Sequence, residues 1–274
     1  MIKFFRNIRK KLHSEGNTGK YLKYALGEIV LVVLGILIAV QINNWNEDRK
    51  KINTETEYLI RLRSDLANDT AYYHRRIKYA DRVIADHKKA FLIAYTEIES
   101  SRDFYQSFNN LEWSSESLSI RDITFSEMRN AGQINIIRND KIKTELLELY
   151  MQVDLAVKHF EEINNTSIDY MSHFFIQSKA LKHFWSYDQE VSPRTAEMLD
   201  TSEDWQWIND PKSESFKSFL FSLEFYTNKQ SYFKKYCKNL KEKSTLLIGA
   251  IENELNSRSI DVPAPDIEPI FVID

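Results

Sequence analysis

Between Ile36 and Ser192 the chain has a single glycine, Gly132, and no proline. Four of its six glycines lie before Ile36, and its five prolines begin at Pro193. Average usage over 274 residues would give roughly 19 glycines and 14 prolines. Phosphate loops, dinucleotide fingerprints and tight hairpins all depend on glycine, so such sites have almost nowhere to form. Long uninterrupted helices remain, and the expected class is all-α.

The run Ala25–Ile42, ALGEIVLVVLGILIAVQI, sets the second constraint. Ten of the twelve residues in Ile29–Val40 are Ile, Val or Leu. At about −0.3 to −0.6 kcal/mol each they contribute about −3 to −6 kcal/mol toward insertion into a bilayer. A helix over residues 24–45 is ~33 Å long, matching a hydrocarbon core. Tyr21, Tyr24 and Trp45 border it as interfacial aromatics do. A cleaved leader would need small residues before its cleavage site, and Ala39-Val40-Gln41 fits that poorly. The expectation is an uncleaved anchor.

Charge orients it. Residues 1–23 carry Lys3, Arg6, Arg9, Lys10, Lys11, Lys20 and Lys23 against Glu15, while the whole chain has net charge −3. The positive-inside rule then puts the N-terminus in the cytoplasm and residues beyond 45 outside, in the periplasm of a two-membrane bacterium. Ile2, Phe5, Ile8 and Leu12 recur at helical spacing, so Lys3, Arg6, Arg9, Lys10 and Lys11 are candidates for contact with the anionic inner leaflet. Within the span, Glu28 is an interfacial acid or a polar contact, and Gly35 with Ala39 permits close helix packing. Nothing in the acidic remainder resembles a nucleic-acid surface.

Two stretches carry a resemblance. The N-terminal sequence through Lys50, with its GEI-LV-GILIA-QINNWNE pattern, resembles an uncharacterised membrane-protein family common in Bacteroidetes. Thr124–Asp140, TFSEMRNAGQINIIRND, is similar to that family's T-F-x-E-(x)4-G segment. The resemblance implies a single-pass inner-membrane protein and no particular activity.

Beyond the span, residues 46–260 read as an antiparallel three- or four-helix bundle, and 261–274 as a proline-containing tail. Ile52, Leu59, Leu66 and Tyr73 recur every seven residues, followed by Ile77, Ala80, Ile84, His87, Phe91 and Ala94 at 3-4 spacing. Asn68-Asp69-Thr70 is the natural place for a break, so one helix or two remain open over 46–99. Residues 100–122 read as a loop. Thr124 and Glu127 form a capping box, and Gly132 closes that helix. Asn139 or Asp140 caps a helix with the seam Ile142, Leu146, Leu149, Val153, Ala156, Phe160, Ile163, Ser167, Tyr170 and Phe174. Asp210-Pro211 starts the last helix, which runs to about Ser257 with its stripe from Phe216 to Ile251. Three long helices joined by loops would alternate in direction.

The sequence carries no recognisable catalytic or metal-binding motif. No Glu lies three residues before a histidine as a di-iron bundle requires, and no HExxH or GxSxG is present. Cys237, the only cysteine, is expected as a small apolar helix residue. His87 falls on an apolar stripe, as a core histidine would. No cofactor and no metal ligands are assigned. Trp185, Trp205 and Trp207 form a candidate aromatic binding loop, or cap the end of the core. The leading functional reading is a membrane-anchored, non-enzymatic binding, scaffold or sensor-like accessory of the envelope, working with a protein partner or a second copy. The alternatives are an envelope enzyme with a carboxylate/His site assembled in three dimensions, and a small subunit of a transport complex.

Overall fold

The computed structural model describes residues 18–108, 111–113, 117–178, 205–265 and 267. Among them every regular element is helical: α1 (Thr18–Ile93), α2 (Ser101–Phe108), α3 (Ile123–Asn130), α4 (Asp140–Ser178) and α5 (Glu214–Ser257), with 3-10 turns at Ile134–Ile136 and Gln206–Asn209. The chain divides into two compact units, Met1–Glu57 and Tyr58–Asp274.

In the first unit the described residues belong to α1. Its apolar stretch has an 18-residue window of mean hydropathy 2.5, none of it buried. Ile29, Val30, Leu31, Val32 and Val33, which between them go right round the helix, are all exposed. Among the described residues this is the one helix long and apolar enough to cross a membrane.

The second unit has two apolar cores. The first joins Leu59, Leu62, Leu66 and Tyr73 of α1 to Leu146, Val153 and Phe160 of α4 and to Phe233, Leu240 and Ile251 of α5. Full burial of each aliphatic side chain contributes about 1.5–3 kcal/mol. The second core gathers Ala90, Ala94, Ile98, Phe104, Phe108, Met171, Phe216 and Phe219.

No break occurs at Asn68-Asp69-Thr70. Asn68 Nδ2 donates to the Ser64 carbonyl at 2.9 Å and Thr70 Oγ1 to the Leu66 carbonyl at 2.8 Å. Both side chains bond the preceding helical turn instead of capping a new one.

The expected alternation of long helices does not hold either. Contacts between α1 and α5 pair Arg63 with Glu252, His74 with Lys241 and Asp81 with Lys234, so the two run in opposite senses. Those between α4 and α5 pair Asn139 with Glu254, Phe160 with Phe233 and Tyr170 with Phe221, again in opposite senses. Hence α1 and α4 run the same way. The connection makes this possible by travelling back along α1. His87 meets Glu112, Tyr72 meets Ser117 and Ser119, Asp69 meets Arg121, and Asp65 meets Thr124. Within the expected loop over 100–122, the described residues 111–113 and 117–122 therefore belong to the returning element, and α2 precedes them.

Helix ends follow local chemistry, with two corrections. Asn139 Oδ1 accepts from the backbone of Lys141 and Ile142, capping α4 as expected. Gly132 (φ 67°) closes α3, with Gln133 N donating to Met128 O and Gly132 N to Arg129 O. The Thr124–Glu127 capping box is not formed. α3 starts at Ile123 after Asp122, and the Thr124 amide donates to Asp65 of α1 instead. α5 starts at Glu214, later than Asp210-Pro211 suggested, because Ser213 Oγ accepts from Phe216 N at 3.1 Å. Its far end repeats the α3 closure with Ser259 at φ 56°.

The seams are largely as read. Phe216 through Ile251 of the α5 stripe are buried, Cys237 among them. Tyr170 and Phe91, expected in the core, are partly exposed, and Phe174 lies outside the residues whose side chains are described.

Candidate functional site

Tyr58, Arg61, Asp65, Asp69 and Tyr72 are spaced three or four apart, so they share one face of α1. This face holds the returning segment. Tyr72 Oη donates to Ser117 O at 3.4 Å and accepts from Ser119 N at 3.1 Å. Asp69 Oδ1 accepts from Arg121 N at 2.8 Å, and Asp65 Oδ2 from Thr124 N at 3.0 Å. At the lower end Tyr58 and Arg61 both bind the Glu127 carboxylate. Beneath the segment Phe125 stacks on Tyr150 of α4, with ring centroids 4.0 Å apart.

Asp69 is the electrostatic centre of this junction, with only 3% of its surface exposed. Burial, reinforced by Asp65 and Asp122, outweighs the Arg121 N–H and pushes its carboxyl up to about 7. Burial likewise raises the Tyr73 and Tyr150 hydroxyls and pushes the Cys237 thiol up to about 12. At the exposed end, the Arg61 guanidinium holds Glu127 below the usual carboxylate range. The carboxylates here grip main-chain donors and a hydroxyl, Ser126 Oγ to Asp122, and do not converge on a shared space. Among the described residues no group of three His, Cys, Asp or Glu could hold a metal ion.

A second polar feature separates the two cores. His87, Asn164, Ser167, Tyr226, Lys229 and Gln230 are all buried and belong to neither apolar cluster. The His87 ring lies against Tyr226 at 5.2 Å and against Trp113 at 4.8 Å, and its Nε2 meets the Glu112 carbonyl at 3.1 Å. Desolvation lowers its pKa, so it is held neutral, opposed by the Glu112 and Leu223 carbonyls. The Lys229 ammonium sits 4.6 Å from the Tyr226 ring centroid, a cation–π placement.

The residues singled out by sequence are scattered. Lys3, Arg6, Arg9, Lys10, Lys11 and Trp185 lie outside the described residues. Glu28 is half-buried, and Gly35 and Ala39 are exposed. At ~100° per residue these three fall within ~40° of one another around α1. Nothing lies within 4 Å of where a Gly35 side chain would begin. Trp205 is buried in the second core, and half-buried Trp207 packs edge-on against Phe104 and Phe219. These two tryptophans are brought together by core packing. Asp65, Tyr72, Asn164 and Lys229 were not singled out by sequence, and Asp69 only as one residue of an expected helix break. One signal marked Asp69: it falls in the 3-4 register of Leu59, Leu62, Leu66 and Tyr73, where an apolar residue is expected.

Residues 28–152 match a family described as a family of unknown function, DUF6090. The chain is similar to that family over these residues. The matched stretch overlaps both segments that carried the resemblance, and it contains the α1 face, the returning segment and Tyr150. No curated protein and no solved structure matches the chain.

Proposed function

We propose that this chain is a single-pass inner-membrane protein with its N-terminus in the cytoplasm and a helical-bundle domain outside it. On this reading it acts by binding, as a scaffold or sensor-like accessory of the envelope. The observation that carries the reading is the stretch from Leu26 to Trp45, whose apolar side chains face outward on every side of the helix. An all-round apolar helix is stable only in an apolar surrounding. The basic residues of 1–23 support the orientation and suit an anionic leaflet. The shared cores of α1, α4 and α5 support the bundle. The face bearing Glu28, Gly35 and Ala39 suits a partner helix or a second copy.

Alkaline extraction of membranes should leave the intact chain in the pellet, with the N-terminal residues retained on sequencing. A reporter fused after residue 60 should be active only outside the cytoplasm. Release into the supernatant, a shortened N-terminus or a cytoplasmic reporter would each overturn the reading. In-cell crosslinking from Gly35 and Ala39 should then trap a second helix, and its absence would remove the packing role.

A further inference from the structure

We propose that residues 117–133 form a pH-governed strap, docked most tightly on α1 in acid and progressively loosened as the pH rises toward neutrality, with Asp69 as the titrating group. The geometry singles out this contact. Asp69 is covered by the strap itself: its carboxylate accepts the Arg121 N–H from above, while Leu66 and Tyr73 on either side of it belong to the first core. Lifting the strap returns the carboxylate to water, so docked and undocked states bind a proton with different affinity.

The groups around it agree on the direction. Asp65 and Tyr73 face Asp69 from its own helix, Arg121 and Asp122 from the strap, and Tyr150 from α4, with Cys237 of α5 next to Tyr73. The two acids add like charge, and Arg121 adds opposite charge. The tyrosines and the thiol are all pushed upward and stay neutral throughout the window. Docked Asp69 takes its proton near 7 against an ordinary 3.8. Docking therefore releases no proton in strong acid, binds one between those values, and leaves an ionised carboxylate buried above them. The docking constant falls by up to about tenfold per pH unit on the way to 7, then levels. Neutral Asp69 still accepts the Arg121 N–H through its carbonyl oxygen, so protonation does not cost that bond. The remaining contacts, chiefly Phe125 on Tyr150 and buried Met128, keep opening a minority event. The strap and its partners lie within residues 58–150, so this behaviour is independent of where the chain sits relative to a membrane.

Amide hydrogen exchange on the full chain in detergent micelles, expressed as protection factors from pH 5 to 8, tests this. Protection at Ser119, Arg121 and Thr124 should fall by up to about tenfold per pH unit between 5 and 7 and flatten above. Amides of α4 between Ile142 and Phe160 should not follow. Asp69→Asn keeps the acceptor and should make strap protection independent of pH. A flat wild-type profile, a slope that survives in Asp69→Asn, or α4 amides falling in step would overturn the strap. Should Asp69→Asn lose its α4 protection altogether, Asp65→Asn decides. Removing that like charge should move the break to lower pH, and an unmoved break would overturn the proposal.

Discussion

Helix α1 carries two different apolar patterns along one unbroken backbone. Over residues 25–42 apolar side chains occupy every face, and they are exposed; over 58–73 they return every three or four residues, and Leu59, Leu62 and Leu66 are buried. The same backbone hydrogen bonding serves both. The difference lies in what each surface requires of its surroundings. A stripe is completed by other helices of the same chain, whereas an all-round apolar surface cannot be completed by any stripe. Helix propensity is satisfied equally in both regions and decides nothing between them.

Substitution should separate the two regions. Leu66→Ala removes a fully buried side chain and should destabilise the second unit by about 2–5 kcal/mol, read from thermal melts of the detergent-solubilised chain. Leu34→Ala should leave those melts unchanged, and an equal loss at both positions would erase the contrast. Leu34→Arg should cost about 3 kcal/mol of insertion and shift the chain toward the soluble fraction, again without altering the melt. The two matching helix closures give a finer comparison. Gly132→Ala should destabilise by about 1 kcal/mol, and Ser259→Gly should stabilise by about the same, since both positions are left-handed. Lowering the pH below 6.5 should subtract from the second unit's stability through His87, opposing the gain through Asp69, because the folded pKa of His87 is depressed and the unfolded chain binds that proton first. His87→Gln should lessen that acid-side loss. Smallest of all, Arg61→Ala should leave the melt almost unmoved, as its pair with Glu127 is solvated on both sides.

What was legible in the sequence was whatever repeats. The seams of α1, α4 and α5 follow from spacing, and so does the apolar stretch, because burial imposes a period that side chains must obey. Helix direction was not legible. A seam records which face is buried, and it says nothing of how the connection travels, so the shared direction of α1 and α4 came only with the return of 117–130 along α1. The same limit explains Asn68 and Asp69. Residues able to cap a helix can equally bond a preceding turn or a segment far along the chain, as Asp69 bonds Arg121. At the candidate site the visible signal was a violation of pattern: an acid in the apolar register of α1, and His87, Ser167 and Gln230 within seams. Trp205 and Trp207 drew attention by residue type, and the second core accounts for their packing.

Asp65, Asp69 and Tyr72 hold the returning segment by its main chain, through Thr124 N, Arg121 N, Ser119 N and Ser117 O. Main-chain atoms are common to every amino acid, so the identities at 117, 119 and 121 can drift while the grip persists. Proline is the exception at 119, 121 and 124, since it carries no N–H to give. Among related chains, sequence divergence along this segment would therefore be a poor guide to structural divergence. Part of the information that specifies where it docks is thus written across the contact, in three side chains of α1.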